Sequence, residues 1–280
     1  MAGVARPQPR LQRPRRAAGI ARLLLLAAVV AYLVLPLLST VAFSLATVWN
    51  KTVLPEGYTL EWYRQSLSDP QILRGIQRSL LATVGALLIG LALVVPALLW
   101  VHLRAPRLKR WLEFLAIVPW ALPGVVLALA IIRAYIGPYN VSRPLILVLV
   151  YTLVSLPFMF RAIDAALSAV DLRTLVEAAQ TLGAGWPDTL RRVILPNITP
   201  GILSAALLVA ALASGEYVLA RLLGGTGWKT FALYQAEAQF TDGRVAAALA
   251  ALGFAFTWLV SMGLILLSGR RAQPTPLANK

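Results

Sequence analysis

Residues 177–196, EAAQTLGAGWPDTLRRVILP, form a polar segment between two strongly apolar ones. Glycine and proline interrupt it at Gly183, Gly185, Pro187 and Pro196. A long connection inside a compact domain is usually functional rather than a simple link between helices. The segment is therefore a candidate functional loop in a chain whose flanking regions are apolar.

The composition of the chain predicts that lipid surrounds most of it. Hydrophobic residues make up 59% of the 280 residues and charged residues only 13%, which is more apolar than a soluble domain of this length. The formal net charge is +15, but Lys and Arg cluster beside apolar segments, where they set topology and meet anionic lipid. The chain has no Cys and one His, which excludes disulfide, thiolate and multi-histidine metal chemistry. We therefore expect no cofactor, no metal and no nucleic-acid partner.

Six apolar segments have roughly the 20 residues that a helix needs to cross a bilayer. The first follows an Arg-rich leader, but its apolar run exceeds the roughly 7–15 residues of a signal peptide, so we expect an uncleaved helix. The pattern predicts an all-α membrane protein with a basic leader at 1–22, a six-span transmembrane domain at 23–270 and a tail at 271–280. The predicted spans are 23–46, 79–101, 112–132, 145–163, 201–220 and 246–268.

Lys and Arg are distributed unequally between the two sides of these spans. If the N-terminus is cytoplasmic, sixteen of them lie on the cytoplasmic side and nine on the other. Because cytoplasmic loops carry the excess of positive charge, we expect both termini and the 177–196 loop to be cytoplasmic. Residues 47–78 then lie outside, where YTLEWYRQSL at 58–67 predicts an interfacial amphipathic helix anchored by Trp62 and Tyr63.

The chain around the loop predicts a first helix with a defined beginning and end. Asp171 suits its N-cap, the sequence LRTLVEAAQTL consists of good helix formers, and Gly183 suits the left-handed residue that follows a helix. Apolar residues recur at three- and four-residue steps and predict one apolar face, made of Leu172, Leu175, Ala179 and Leu182.

A second, shorter helix is predicted to follow before the fifth span. Pro187 suits its first turn. Leu195-Pro196 and Pro200 are expected to interrupt the chain ahead of the span. The loop at about 171–196 is therefore predicted to be a helix–turn–helix between spans four and five.

The first loop helix is predicted to dock on a partner rather than to perform chemistry. Ala178 and Ala179 are small enough for a partner surface to approach closely, and Glu177 offers a carboxylate to a cationic group on it. No Ser/His/Asp or paired-carboxylate set is visible that would make a catalytic site. The alternative is an amphipathic helix that lies on the inner leaflet.

The spacing in this loop resembles that of a known family. E-A-A, three residues, Gly, nine residues, a β-branched residue, one residue and Leu-Pro match the cytoplasmic EAA loop of the permease subunit of bacterial binding-protein-dependent ABC importers, with Val193 where Ile is usual. The resemblance implies a multi-pass protein of the inner (plasma) membrane that lacks ATPase activity of its own. The residues that it implies for coupling to the ATPase are Glu177, Ala178, Ala179, Gly183, Leu195 and Pro196.

The same resemblance implies the partners of the chain. Permeases of this family pair as a two-subunit pore, so a second permease subunit is expected, and it is expected to be a different chain. A dimer of cytoplasmic ATP-binding subunits drives the pore, and an extracytoplasmic solute-binding protein delivers the substrate.

Two further stretches resemble a subfamily. PWALPGVVLALAII at 119–132 and LASGEYVLARLLGG at 212–225 are most similar to the second permease of polyamine, iron, thiamine or aminoethylphosphonate importers. This implies a small, charged solute. A sugar-type importer permease is the alternative.

Glu216 is the clearest candidate for the translocation path. It lies about fifteen residues into the fifth predicted span, roughly 22 Å along a helix, and a carboxylate at such a depth is functional by default. It either faces the path and attracts a cation or pairs with Arg221, one turn further along. Trp120, in a stretch where prolines are expected to break or kink the third span, and Tyr217 are the other candidates for the path.

Two other classes of membrane protein fit less well. A membrane-embedded enzyme needs several ionisable residues within its spans, and Glu216 alone clearly qualifies. An ion-coupled secondary transporter needs inverted repeats with broken helices at matching positions, and no such repeat is visible. Neither class accounts for the EAA-like loop.

Overall fold

The computed structural model describes residues 15–49, 52, 54–225 and 227–269. Residues 1–14 of the predicted leader and the whole predicted tail at 271–280 lie outside this part of the chain. Within it the structure is helical, apart from turns and a single isolated antiparallel bridge between Ala46 and Tyr58. The helices are α1 (Arg15–Leu45), α2 (Glu61–Ser68), α3 (Pro70–Arg104), α4 (Lys109–Ala121), α5 (Gly124–Tyr139), α6 (Arg143–Ser168), α7 (Leu172–Thr181), α8 (Trp186–Gly215), α9 (Phe231–Ala238) and α10 (Gly243–Gly269).

Five of these helices are long and apolar enough to cross a membrane: α1, α3, α6, α8 and α10. The pair formed by Pro106–Ala121 and Gly124–Tyr139 gives a sixth crossing if it counts as one broken span. The prediction of an all-helical membrane protein is therefore confirmed, with five to six candidate spans.

The third predicted span is broken rather than continuous. The two halves meet at 91° around Leu122 and Pro123. Leu122 is extended, with φ −80° and ψ 136°, because the residue before a proline is disfavoured in the helical region. The proline-rich stretch thus interrupts the span, as its sequence predicts, and the break is complete enough to produce two half-helices.

The fifth span begins earlier and ends earlier than predicted. The expected break at Leu195-Pro196 and Pro200 is wrong, because α8 runs from Trp186 to Gly215 without interruption. Its turn at Thr189–Ile194 is widened to a π-helix. Just after this widened turn, the side chain of Asn197 donates to the carbonyl oxygen of Val193 at 2.7 Å.

The buried core lies where α6 packs between α3 and α8, whereas α1 packs at the edge against α10. Small residues permit the close approach of α6 and α8. A Cβ atom at Gly201 would lie 2.5 Å from the Cβ of Ala166 and 2.7 Å from the carbonyl oxygen of Ala162. Glycine is therefore required at this crossing, as is common between helices in membranes.

The short helix α2 forms where the sequence predicts it, but its aromatic residues contact the chain itself. Trp62 donates to the carbonyl oxygen of Ala46 at 2.9 Å, and the guanidinium of Arg244 lies 4.4 Å from its ring centroid. The hydroxyl groups of Tyr63 and Ser44 are 2.5 Å apart. Trp62 and Tyr63 are therefore partly buried against neighbouring elements, and their role as interfacial anchors stays a prediction.

The ends of α3 and α6 nearest the loop are joined by a polar contact. His102 Nε2 and Lys109 Nζ each lie 2.8 Å from the same oxygen of Asp164. All three side chains are at least partly buried. The contact fixes the ends of α3, α6 and α4 relative to one another and thereby holds the base on which α7 lies.

Candidate functional site

The first loop helix, α7, begins at the predicted cap. Asp171 accepts hydrogen bonds from the hydroxyl of Thr174 at 2.8 Å and from its backbone N–H at 3.3 Å. These two hydrogen bonds, the side-chain one first, lower the pKa of the Asp171 carboxyl below its ordinary value. An ionised carboxylate at this position also complements the positive end of the helix.

The end of α7 also matches the prediction. Gly183 has φ +79°, in the left-handed region, and a Cβ atom there would have no neighbour within 4 Å. The turn is closed by hydrogen bonds from the N–H of Gly183 to the carbonyl oxygen of Gln180 at 2.9 Å and from the N–H of Ala184 to that of Ala179 at 3.0 Å. Glycine is thus needed here because it adopts the left-handed conformation readily, and not because a larger side chain would clash with a neighbour.

The apolar face of α7 differs in part from the predicted one. Leu172, Val176 and Ala179 are buried against the chain, whereas Leu182 is 88% exposed. Ala179 therefore packs inward and does not face a partner, which corrects its predicted role. Leu182 points away from the buried face because the helix ends at Thr181, so the three- and four-residue spacing of a helix no longer applies to Leu182.

The outward face of α7 and the turn that follows it carry three of the six predicted coupling residues. Glu177, Ala178 and Gly183 are exposed, and Glu177 forms no ion pair within the described part of the chain. Beyond the turn, Leu195 packs on the core while Pro196 is exposed on the first regular turn after the widened one. The exposed Leu182, which sequence reasoning placed on the packed side, adds an apolar side chain to this outward face.

A second candidate site is a cavity of about 150 Å³ where the broken third span meets the end of α8. Trp120 and Glu216, predicted from two distant segments of the sequence, both line it, whereas Tyr217 is exposed and is not part of the lining. Tyr151 and Ser155 of α6 also line it, and sequence reasoning missed both. Polar side chains also occur elsewhere in this predicted span, at Thr152 and Arg161, so residue type alone does not single out Tyr151 and Ser155.

Glu216 lies in a gap between helices rather than within a helix. The fifth span ends at Gly215, and a short π-helical turn, Ala220–Gly224, follows closely. The carboxylate of Glu216 accepts a hydrogen bond from the backbone N–H of Leu219 at 2.8 Å, and its carbonyl oxygen accepts one from the hydroxyl of Tyr151 at 3.3 Å. The alternative pairing with Arg221 is not found.

Arg221 pairs instead with a residue that follows the fifth span. Its guanidinium lies 2.7 Å from one carboxylate oxygen of Glu237, and Lys229 Nζ lies 2.7 Å from the other. The Glu216 carboxylate is therefore left without a cation in the described part of the chain. No group of three or more His, Cys, Asp or Glu side chains suited to a metal ion occurs among the described residues.

Known proteins resemble this chain over most of its length. Residues 99–273 match the family described as the binding-protein-dependent transport system inner membrane component. PhnV of Salmonella typhimurium, described as a permease protein of a 2-aminoethylphosphonate transport system, is 30% identical over 268 residues, which cover 92% of this chain and 97% of PhnV. PotB of Haemophilus influenzae, a spermidine/putrescine transport system permease protein, is 31% identical over 217 residues, covering 69% of this chain and 73% of PotB.

Two further matches differ in extent. The ABC transporter permease protein y4fN of Sinorhizobium fredii is 30% identical over 178 residues, which are 61% of this chain and only 30% of y4fN. Among solved structures, a bacterial ABC transporter involved in the import of the acidic polysaccharide alginate superimposes with a TM-score of 0.71 at 17% identity, covering 92% of this chain and 99% of that one. The fold is therefore shared with that structure.

Proposed function

The chain belongs to the family of binding-protein-dependent transport system inner membrane components and is an ABC importer permease, and we propose that α7 is the element through which an ATPase drives it. The observation that carries this proposal is the form of α7. A capped helix ends at a left-handed glycine, packs one face on the core, and leaves Glu177, Ala178 and Leu182 outward. Such a helix can enter a cleft on a partner without unfolding.

The proposed topology places both termini and α7 in the cytoplasm. It is supported by the excess of Lys and Arg on that side, sixteen against nine, and by the family resemblance of the loop. The transmembrane domain then extends over 23–270, with the bent pair of half-helices as the third of six spans.

The proposed assembly contains this chain, a second permease subunit, a dimer of ATP-binding subunits and an extracytoplasmic solute-binding protein. The sequence contains no Gly-x4-Gly-Lys-Ser/Thr phosphate loop, so ATP hydrolysis is assigned to the partner. The chain is then a non-catalytic subunit that converts closure of the ATPase dimer into movement of its spans.

We propose that the transported solute is small and carries an amine. The 150 Å³ cavity contains the carboxylate of Glu216, the indole of Trp120 and the phenol of Tyr151, and its lining has no basic side chain. A carboxylate and aromatic ring faces attract an ammonium group. The names of PhnV and PotB point to 2-aminoethylphosphonate and to spermidine or putrescine, all of which carry an amine. The cavity lining and the named solutes of these relatives together favour a permease for an amine-bearing solute over a sugar-type permease or an ion-coupled secondary transporter.

The assembly is tested by solubilising the tagged chain gently from its native membrane and identifying by mass spectrometry the proteins that co-purify. The proposal predicts an ATP-binding subunit and a second permease. Recovery of the intact chain alone, repeatedly and in several mild detergents, would contradict it.

The topology is tested on the same material with single cysteines, because the chain has none of its own. Thr181→Cys on α7 should react with an impermeant maleimide only in inverted membrane vesicles. Thr241→Cys, between α9 and α10, should react only in intact spheroplasts. The opposite pattern would overturn the orientation.

A further inference from the structure

A groove of about 560 Å³ opens between the end of α3 and the loop helix α7. Its walls come from α3, α7 and the first turns of α8, so it lies where three elements converge beside the proposed coupling face. Trp100 and Arg104 of α3 face Arg173 and Gln180 of α7 across it, and Trp186 lies at the start of α8.

The polar end of the groove is basic. Arg104 and Arg173 line it together with one carboxylate, that of Glu177, and neither arginine lies within ion-pair distance of a carboxylate in the described part of the chain. Arg173 donates to the carbonyl oxygen of Leu103, at the end of α3, at 3.5 Å, which orients its guanidinium toward that end. Arg173 keeps four of its five donors after this hydrogen bond, and the two guanidinium groups together suit a phosphodiester, which has one negative charge and two free oxygens.

The other end of the groove is apolar and continues along the membrane span. Pro96 and Leu99 line it, and the exposed face of α3 extends from it through Leu93 and Leu88, which are 56% and 61% exposed. The indole of Trp100, 53% exposed, lies between the arginines and this apolar face. Tryptophan is enriched at that level of a bilayer, where headgroups meet acyl chains.

We propose that this groove binds one anionic phospholipid, with its phosphate between Arg104 and Arg173 and an acyl chain along Leu93 and Pro96. Basic pockets between helices at a membrane surface bind such headgroups. The assignment of the lipid to the cytoplasmic leaflet rests on the proposed cytoplasmic position of α7, whereas the groove itself does not depend on that topology. The bound lipid bridges α3 and α7, so it restrains α7 while Ala178 and Leu182, which do not line the groove, stay outward.

The test uses the purified chain in its complex, placed in nanodiscs of phosphatidylcholine doped with phosphatidylglycerol. Native mass spectrometry then measures the lipid that stays bound after transfer to detergent. About one phosphatidylglycerol per chain is expected to be retained, in preference to phosphatidylcholine. Equal retention of the two lipids by the unmodified protein would overturn the proposal without any variant.

A charge-matched pair of variants locates the site. Arg104→Gln with Arg173→Gln should weaken phosphatidylglycerol retention at least about tenfold, because each of these arginines is placed to donate charge-assisted hydrogen bonds to the phosphate and loss of one such bond weakens binding by a factor of about ten or more. Arg107→Gln with Arg110→Gln removes the same charge from the same end of the protein but leaves the groove lining intact, and should retain the lipid. If the second pair of substitutions lowers phosphatidylglycerol retention as much as the first, the lipid is held only by general electrostatic attraction to the protein, and the proposed site is wrong.

Two controls separate the possible outcomes. Inorganic phosphate at millimolar concentration should not displace the lipid, because the acyl chain contributes binding that the free ion lacks. Displacement by phosphate would contradict the lipid assignment.

Co-purification of the ATP-binding subunit is scored separately, so that failure of the lipid site and failure of the importer assembly give different results. A partner segment in the groove would be revealed by lipid retention in the isolated chain but not in the complex, and would also overturn the proposal.

Discussion

The Glu216 carboxylate caps the chain that follows the fifth span by accepting a 2.8 Å hydrogen bond from the N–H of Leu219. The break at this point faces the break in the third span, since a Cβ atom on Gly124 would lie 3.8 Å from the Leu219 side chain. Two interrupted spans therefore meet beside one carboxylate, and irregular backbone at membrane depth is tolerated where it lines a cavity. This arrangement makes Glu216 the centre of the proposed path.

Replacing Glu216 by Gln should weaken uptake of an amine-bearing solute while the chain still inserts. The Gln oxygen can still accept the hydrogen bond from Leu219, so the local structure is retained and only the charge is lost. A hydrogen bond to a charged group contributes about 1.5–3 kcal/mol, which predicts a loss of roughly ten- to a hundredfold in apparent affinity. Uptake of labelled 2-aminoethylphosphonate or spermidine by whole cells measures it.

The preference between two related solutes provides the control for Glu216. The unmodified importer should favour 2-aminoethylphosphonate over ethylphosphonate, which lacks the amine, and E216Q should narrow that preference. An unchanged ratio in the variant would contradict the role of the carboxylate. Glu237→Gln, which removes a carboxylate outside the cavity, should leave the ratio unaltered.

Replacing Gly201 by Ala should destabilise the packing of α6 on α8. The new Cβ would lie 2.7 Å from the carbonyl oxygen of Ala162, and a backbone atom cannot move aside cheaply. Overpacking of this kind typically costs about 1–3 kcal/mol. The unfolding temperature in detergent should fall, while Gly263→Ala within α10, where a Cβ meets nothing within 4 Å, should not lower it, because alanine favours a helix over glycine.

Replacing Leu182 by Ser should weaken binding of the ATP-binding subunit without altering α7. Its side chain is 88% exposed and contributes little to the fold of the isolated chain. The affinity of the purified permease for its ATPase, measured by surface plasmon resonance, is expected to fall several-fold. Leu60→Ser, the same substitution at a side chain that is 68% exposed just before α2, is the comparison; an equal loss there would show that Leu182 has no special part in docking.

The cap on α7 predicts a defined pH dependence. The pKa of Asp171 is lowered in the folded chain, so its contribution is present above the ordinary carboxyl pKa of about 3.9 and is lost as the pH falls through the lower folded value. Hydrogen exchange of the Thr174 amide should therefore stay slow from neutral pH down to about pH 5, once corrected for intrinsic exchange. Asp171→Ala should lose this protection already at neutral pH, and unchanged protection in that variant would refute the cap.

The loop is where the sequence was most informative, because its signals are local. Asp171 and Gly183 act on the backbone within a few residues, so cap and C-terminal turn follow from residue type. The predicted apolar face of α7 is wrong at Leu182 because the ten-residue helix ends at Thr181, whereas the apolar pattern in the sequence continues to Leu182. The predicted break at Pro196 is absent because the chain before it, Thr189–Ile194, continues into α8 as a π-helical turn, and residue type does not reveal such a turn.

The proposed path could be predicted only in part, because its residues come from distant segments. Glu216 and Trp120 stand out as a charge and an aromatic residue in unusual settings. Tyr151 and Ser155 reach the same cavity only through the packing of α6, which no spacing reveals. Arg221 was a plausible partner for Glu216 by helical spacing, but the helix ends at Gly215 and the side chain turns to Glu237.

The most direct test of the central claim measures ATP hydrolysis and uptake together in proteoliposomes that contain the whole importer with either Gly183→Val or Gly183→Asn. Valine disfavours the left-handed conformation by about 1–2 kcal/mol, whereas asparagine tolerates it. If α7 transmits ATP hydrolysis to the pore, the valine variant inserts normally but loses coupling, so that hydrolysis no longer produces uptake, and the asparagine variant retains most of the coupled uptake. Normal coupled uptake by the valine variant would show that α7 is not the element that transmits ATP hydrolysis to the pore.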